Sequence, residues 1–129
     1  MEPSKCRVLL VDDHVQTRIT LRSLLSQYAD VHIVGEACDG RHAIEQVPAC
    51  KPNVIVMDIY MPRMNGIEAT RVIKTSWREV AIVGICAVYD MCITDVFLKA
   101  GALAVISKDR VDDLYSTIQR ACPTTARPV

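Results

Sequence analysis

Short continuous apolar runs alternate along this chain with stretches whose apolar residues recur at i, i+3, i+4 and i+7. Cys6–Val11 predicts a strand, and the stretch to about Tyr28 predicts a helix with Leu21, Leu24, Leu25 and Tyr28 inward. Val31–Ala37 predicts a second strand, followed by the turn signal Asp39-Gly40. Arg41–Cys50 predicts a weaker helix that Pro48 disturbs near its end. Val54–Asp58 predicts a third strand, and Asn65-Gly66 opens a helix to about Ser76 with Ala69, Val72 and Ile73 as its inner stripe. Val80–Cys86 predicts a fourth strand. Asp90–Ala100 predicts a helix with Ile93, Val96, Phe97 and Ala100 inward, stopped by Gly101. Ala102–Ile106 predicts the last strand and Arg110–Cys122 the last helix, with Val111, Leu114, Ile118 and Ala121 on one face. A single domain is expected over residues 1–122, with 123–129 a tail or the start of a linker.

Five strands alternating with five helices imply an α/β fold, a parallel sheet covered on both faces. In such sheets ligands bind beyond the carboxyl ends of the strands. Asp12 and Asp13 close the run Val8-Leu9-Leu10-Val11, and Asp58 closes Val54-Ile55-Val56-Met57. Cys86 and Lys108 also lie at or just past strand ends. A carboxylate at the end of an apolar strand is costly unless something pairs with it or uses it. The three acids are therefore expected to share one edge and one task.

Composition narrows the classes. The 129 residues are 50% hydrophobic and 5% aromatic, which predicts an aliphatic core large enough to need no staples. Lys plus Arg and Asp plus Glu both number 15, and the basic residues are scattered along the sequence, so the chain offers no footprint for nucleic acid. No apolar run has the length of a membrane span and the N-terminus lacks a signal-peptide pattern, so the chain reads as cytoplasmic, with no membrane partner. The six cysteines show no C-x-x-C spacing, and reduced structural thiols are expected for all but Cys86, which stands at the site.

Three carboxylates at one edge raise one another's pKa, a conflict that a hard oxygen-seeking cation such as Mg²⁺ resolves. The backbone carbonyl of Tyr60, two residues past Asp58, could add a neutral ligand. Lys108 brings a compact positive charge suited to an oxyanion. A carboxylate, a metal and a lysine together suit phosphoryl transfer, with the carboxylate as nucleophile. The plainer readings are helix capping by Asp12 or Asp13, a solvated Lys108, and His14 as a loop or first-turn residue. Capping does not explain a third acid on a distant strand. A dinucleotide-binding turn is disfavoured because Asp12-Asp13-His14 sets negative charge where glycines would cradle phosphate. An Asp-x-Asp phosphatase is disfavoured because the two acids are adjacent.

Leu10-Val11-Asp12-Asp13-His14, Asp58-Ile59-Tyr60-Met61-Pro62-Arg63-Met64-Asn65-Gly66-Ile67-Glu68-Ala69, and Lys99-Ala100-Gly101-Ala102 followed by Lys108-Asp109 closely resemble response-regulator receiver domains over roughly residues 5–121. Val11-Asp12-Asp13-His14 and Lys108-Asp109 are most similar to receivers of LuxR/NarL-type regulators. The resemblance implies a flavodoxin-like, doubly wound sheet of strand order 2-1-3-4-5. It implies that Asp58 accepts a phosphoryl group from a sensor histidine kinase, and that Asp12, Asp13, Asp58 and the Tyr60 carbonyl hold Mg²⁺. It further implies that Lys108, with Cys86 and Ala87, contacts the phosphoryl group, and that the chain is not a turnover enzyme. Homodimerisation is a habit of the family, and LuxR-type receivers usually continue into a DNA-binding helix-turn-helix domain.

Two positions depart from the family pattern. Cys86 stands where the family has Ser or Thr, and a thiol is a much weaker hydrogen-bond donor than a hydroxyl. Val105, three residues before Lys108, stands where the family has an aromatic switch residue. Both changes fall on the readout of phosphorylation and leave its chemistry intact. The alternative function is thus a phosphorylation-independent interaction module. A thiol sensor at Cys86 or Cys92 is a further rival, disfavoured because nearby carboxylates should raise the Cys86 thiol pKa.

Overall fold

The structure, a computed structural model, describes residues 5–88 and 90–122. The expected tail, 123–129, lies outside the described residues. The strands are β1 (Cys6–Val11), β2 (Val31–Ala37), β3 (Val54–Asp58), β4 (Ala81–Cys86) and β5 (Ala104–Ser107). They form one parallel sheet in the order β2-β1-β3-β4-β5. The helices are α1 (Val15–Leu25), α2 (Gly40–Cys50), α3 (Gly66–Ser76), α4 (Met91–Ala100) and α5 (Leu114–Ala121). The expected flavodoxin-like, doubly wound fold is the observed one.

Successive residues of a strand face opposite sides, and in the central strands β1, β3 and β4 both sides are dry. Leu9 and Val11 of β1 join the cluster that also holds Ala43, Val47, Ala69, Ile73 and Phe97 of α2, α3 and α4. Val8 and Leu10 join Leu21, Leu25, Leu114 and Ile118 of α1 and α5. Burial on two faces is why the central strands read as unbroken apolar runs.

The differences from the expected elements are local. The helix of Arg41–Cys50 starts at Gly40 and runs through Pro48 to Cys50, because in the last turn Pro48 removes only one intrahelical bond. The buried stripe of α3 is Gly66, Ala69, Thr70 and Ile73, at i, i+3, i+4 and i+7; Val72 falls beside it and is exposed, as is Val96 beside Phe97 in α4. The expected helix from Arg110 starts instead as a 3-10 turn, Lys108–Asp113, opened by Ser107 Oγ accepting from the Asp109 amide at 3.3 Å. Arg110, at φ −121° and ψ 38°, breaks the path, so α5 proper begins at Leu114.

Reduced thiols are the sequence-based expectation for Cys6 and Cys122, and the structure overturns it: the two form a disulfide. They are 116 residues apart, so spacing carries no signal of the pair. The fold creates it, because β1 starts and α5 ends at the same end of the sheet, with a Cα–Cα distance of 5.9 Å. Cys38, Cys50, Cys86 and Cys92 are free. Among the described residues no helix is long and apolar enough to cross a membrane.

A bond that closes so long a loop restricts the unfolded chain and is worth roughly 2–5 kcal/mol. The oxidised protein should therefore titrate as four free thiols in denaturant and six after reduction, and a reductant should lower its melting temperature. Cys6→Ser/Cys122→Ser should melt with the reduced protein and be insensitive to reductant; a reductant-sensitive double variant would refute the pairing.

Candidate functional site

The parallel register sets the site. Val11 of β1 pairs with Met57 of β3, so Asp12 emerges beside Asp58 at the carboxyl edge. Cys86 of β4 pairs with Ser107 of β5, so Lys108 enters the next position along that edge. With strands spaced about 4.8 Å apart, β5 lies about 10 Å from β3, and a lysine stem can span β4 to the acids. Lys108 Nζ lies 2.9 Å from Asp12 Oδ2 and 3.4 Å from Asp58 Oδ1. Asp12 and Asp58 are both buried, whereas Asp13 is partly exposed.

His14 joins this cluster. It is the residue before α1, as the sequence predicts, and its side chain makes no cap bond. Its Nδ1 lies 3.2 Å from both Asp12 Oδ1 and Asp13 Oδ1, and its amide donates to Asp12 Oδ1 at 2.8 Å. Neither aspartate caps α1, so the plainer reading fails for both. One ligand atom from each of Asp12, Asp13, His14 and Asp58 lies within 4.8 Å of the others. Asp13 Oδ1 is buried and makes no hydrogen bond, with only the His14 ring near it, and Asp12 Oδ2 has only the ion pair to Lys108. Under-satisfied carboxylate oxygens converging at this spacing fit a hard divalent cation.

Burial, and next the negative charge of Asp12, push the Asp58 carboxyl up to about 6, against the opposing pull of Lys108 and the Ile59 amide. Burial alone would lower the Lys108 pKa; the Asp12 and Asp58 carboxylates reverse that and hold its ammonium above the ordinary value.

The loop after β3 is shaped by backbone demands. A Cβ on Gly66 would collide with the Asp58 carbonyl, so only glycine lets α3 start beneath the acid. The Gly66 amide donates to the Ile59 carbonyl at 2.8 Å, and Asn65 Oδ1 caps α3 by accepting from the Glu68 amide. Arg63, in the left-handed region at φ 66°, directs its Nε to Asp39 Oδ2 at 2.6 Å and ties the loop to the start of α2. Tyr60 lies in this loop with its side chain exposed. Sequence reading also misses Arg18, which donates to the Asp12 carbonyl and, with Arg22, clamps Glu36 of β2. The two arginines hold Glu36 below the usual carboxylate range against the opposing effect of burial. Their i, i+4 spacing on α1 is a legible signal.

The profile of the response regulator receiver domain matches residues 8–119. The chain belongs to this family. As a receiver of two-component signalling it resembles the response regulator domain of Thermotoga maritima CheB, with TM-score 0.85 and 32% identity over 91% of this chain and 96% of that one. The signal receiver domain of NarL from Mycobacterium tuberculosis matches with TM-score 0.85 and 30% identity over 92% and 98% of the two chains. In sequence, the protein-glutamate methylesterase/protein-glutamine glutaminase of Thermotoga maritima is 40% identical over 103 residues, 79% of this chain and 30% of that protein. The response regulator protein VraR of Staphylococcus saprophyticus is 42% identical over 77 residues, 60% of this chain and 37% of that protein. The chain thus spans well under half the length of these curated relatives.

The two positions expected to depart from the family pattern are both turned inward. Cys86 is buried, with its Sγ 3.9 Å from the Ile106 carbonyl, and burial followed by the Asp58 charge raises its thiol pKa. Val105 pairs with Gly84 and packs on the core cluster of α2, α3 and α4. Ala87, just past β4, is exposed.

The raised Asp58 pKa has a definite sign. Between about 4 and 6 the folded metal-free protein binds a proton that the unfolded chain does not, so stability falls as pH rises through that window. Asp58→Asn removes the buried charge. In the presence of a chelator at pH 7.5 this variant should be more stable than the parent by roughly 1–3 kcal/mol in urea unfolding. The gap should close as pH falls toward 4; a gap unchanged with pH would refute the assignment.

Proposed function

We propose that this receiver is phosphorylated on Asp58 by a sensor histidine kinase or a small acyl phosphate in a Mg²⁺-dependent reaction. The observation that carries the reading is the convergence of Lys108, Asp12 and Asp58 at one buried strand edge. Asp12, Asp13, Asp58 and the Tyr60 carbonyl would hold the ion, which when bound neutralises charge on the phosphoryl oxygens. An Asp58 carboxylate oxygen attacks phosphorus; the P–N bond of the phosphohistidine breaks and its electron pair leaves with the imidazole. Lys108 Nζ, within 3.4 Å of Asp58, is within reach of one phosphoryl oxygen of the product. Cys86 and Ala87 complete the phosphoryl surroundings.

Partner binding or homodimerisation through α4, β5 and α5 would change on loading. The residues shared with the methylesterases are those of a receiver, and this segment performs no turnover of its own. DNA binding, where a full-length regulator shows it, would belong to another domain. A cytoplasmic setting belongs to the same reading; its reducing poise acts against the Cys6–Cys122 bond.

The second reading, an interaction module indifferent to phosphorylation, is favoured by the inward packing of Cys86 and Val105. The two readings part in one experiment. Acetyl phosphate with Mg²⁺ should add a single phosphoryl group by intact mass, absent in Asp58→Asn and strongly reduced in Lys108→Ala. Loading without any change in the amide NMR spectrum around α4 and β5 would support the second reading, and Cys86→Thr/Val105→Tyr should then restore the change. No adduct at all would refute the first.

A further inference from the structure

Basic residues of one short segment of the chain meet a lysine of α4 on the surface between α3 and α4. Arg71, Lys74, Arg78 and Lys99, with Thr75 and Ala100, line a shallow depression of about 460 Å³. α3 and α4 both end here and run antiparallel to the strands, so the depression lies at the opposite end of the sheet from Asp58.

Cations at helix C-termini have an ordinary explanation in the macrodipole. Lys74 and Lys99 stand in the last turns of α3 and α4 and fit it. Lys74 Nζ donates to the Arg78 and Val80 carbonyls at 2.6 and 2.7 Å. Its stem lies where a Cβ on Gly101 would intrude, and Gly101 itself sits at φ 122°. The ammonium is thus fixed in place with one of its three protons uncommitted.

Arg71 and Arg78 need another account. Among the described residues neither guanidinium takes part in an ion pair. The carboxylate that is engaged, Asp95, pairs with Lys99 at 2.9 Å on an exposed surface, where such a pair is weak and easily exchanged. Glu79 lines a separate groove with Trp77 and Pro52. Each helix C-terminus offsets about half a charge. Four cations, one carboxylate and two helix ends leave a surplus of about two positive charges in one depression.

We propose that this depression binds a compact, multiply charged phosphate anion of the diphosphate or oligophosphate class. Guanidinium forks match phosphate oxygens bidentately, and a fixed ammonium supplies a further donor. The lining has no aromatic or large apolar side chain, so it offers neither a base-stacking surface nor the anchor pocket a protein partner would use. The site is independent of phosphorylation at Asp58.

Inorganic diphosphate, titrated into the metal-free protein with chelator present at low ionic strength, is the test. Calorimetry should give one saturable site, and the amide shifts should centre on the ends of α3 and α4. Arg71→Ala/Arg78→Ala should weaken binding by about tenfold or more, the loss of at least one charge-assisted bond. These arginines are exposed, so the melting temperature should hardly change. Asp58→Asn should bind as the parent does, which separates this site from the phosphoacceptor pocket. Three results would each overturn the proposal: no saturation at millimolar diphosphate, equal binding by the double variant, or tighter binding of a poly-glutamate peptide than of diphosphate.

Discussion

The ion pair of Lys108 with Asp12 and Asp58 is the constraint on which the arrangement of the carboxyl edge depends. Asp12 is wholly buried, and a buried carboxylate without a partner costs several kcal/mol. Its partner arrives from the far side of β3 and β4, so the pair forms only when β1, β3, β4 and β5 are all in register. Lys108 is also the first residue of the 3-10 turn that leads into α5. A ligand that competes for its ammonium therefore acts at once on the acids and on the entry to the last helix. The same pair leaves the carboxylates incompletely compensated: one ammonium serves both Asp12 and Asp58, and burial, with the Asp12 charge next, pushes the Asp58 carboxyl up to about 6.

Burial of the central strands decides which parts of the molecule are legible in sequence. Strands buried on both faces are unbroken apolar runs, so an acid at the end of one is conspicuous, and Asp12, Asp13, Asp58 and Lys108 can be found without coordinates. Their mutual distances follow from register, which no local pattern states. His14 draws no ligand reading from sequence because no second histidine lies at helical spacing, yet its ring reaches both neighbouring carboxylates through the turn at Asp12. The Cys6–Cys122 bond is invisible for a different reason: it joins the two ends of the domain, and sequence spacing reports only near neighbours. Val72 and Val96 are expected inward and lie outward, because an inner stripe is about a third of a helix wide and apolar character alone does not mark its edge.

Packing of α4 against the sheet bears on how the edge communicates. A Cβ at Gly84 of β4 would run into the ring of Phe97, which is fully buried. α4 is thereby seated directly on the backbone of β4, two residues before Cys86 and beside Val105. Neither Cys86 nor Val105 presents a group that can swing between buried and exposed positions, whereas α4 as a unit is registered to β4 through one large ring. The Gly84–Phe97 contact leaves no space between the two elements, so in a densely packed core the position of α4 is tied sterically to that of β4.

Zero net charge hides a strong polarity. Three acids converge at the carboxyl edge of the sheet, while Arg71, Lys74, Arg78 and Lys99 converge where α3 and α4 end. The topology makes this separation almost unavoidable: a strand and the helix that follows it run in opposite directions, so strand C-termini and helix C-termini lie at opposite ends. Acids are useful at the first, where a cation can be held, and cations are favoured at the second, where helix carbonyls point outward. α3 joins the two ends physically, since it begins with Gly66 beneath the Asp58 carbonyl and ends at the Lys74 anchor. α3 thus runs from the acidic end to the basic end, and a chain that looks electrostatically featureless in composition is polarised along the direction of its strands.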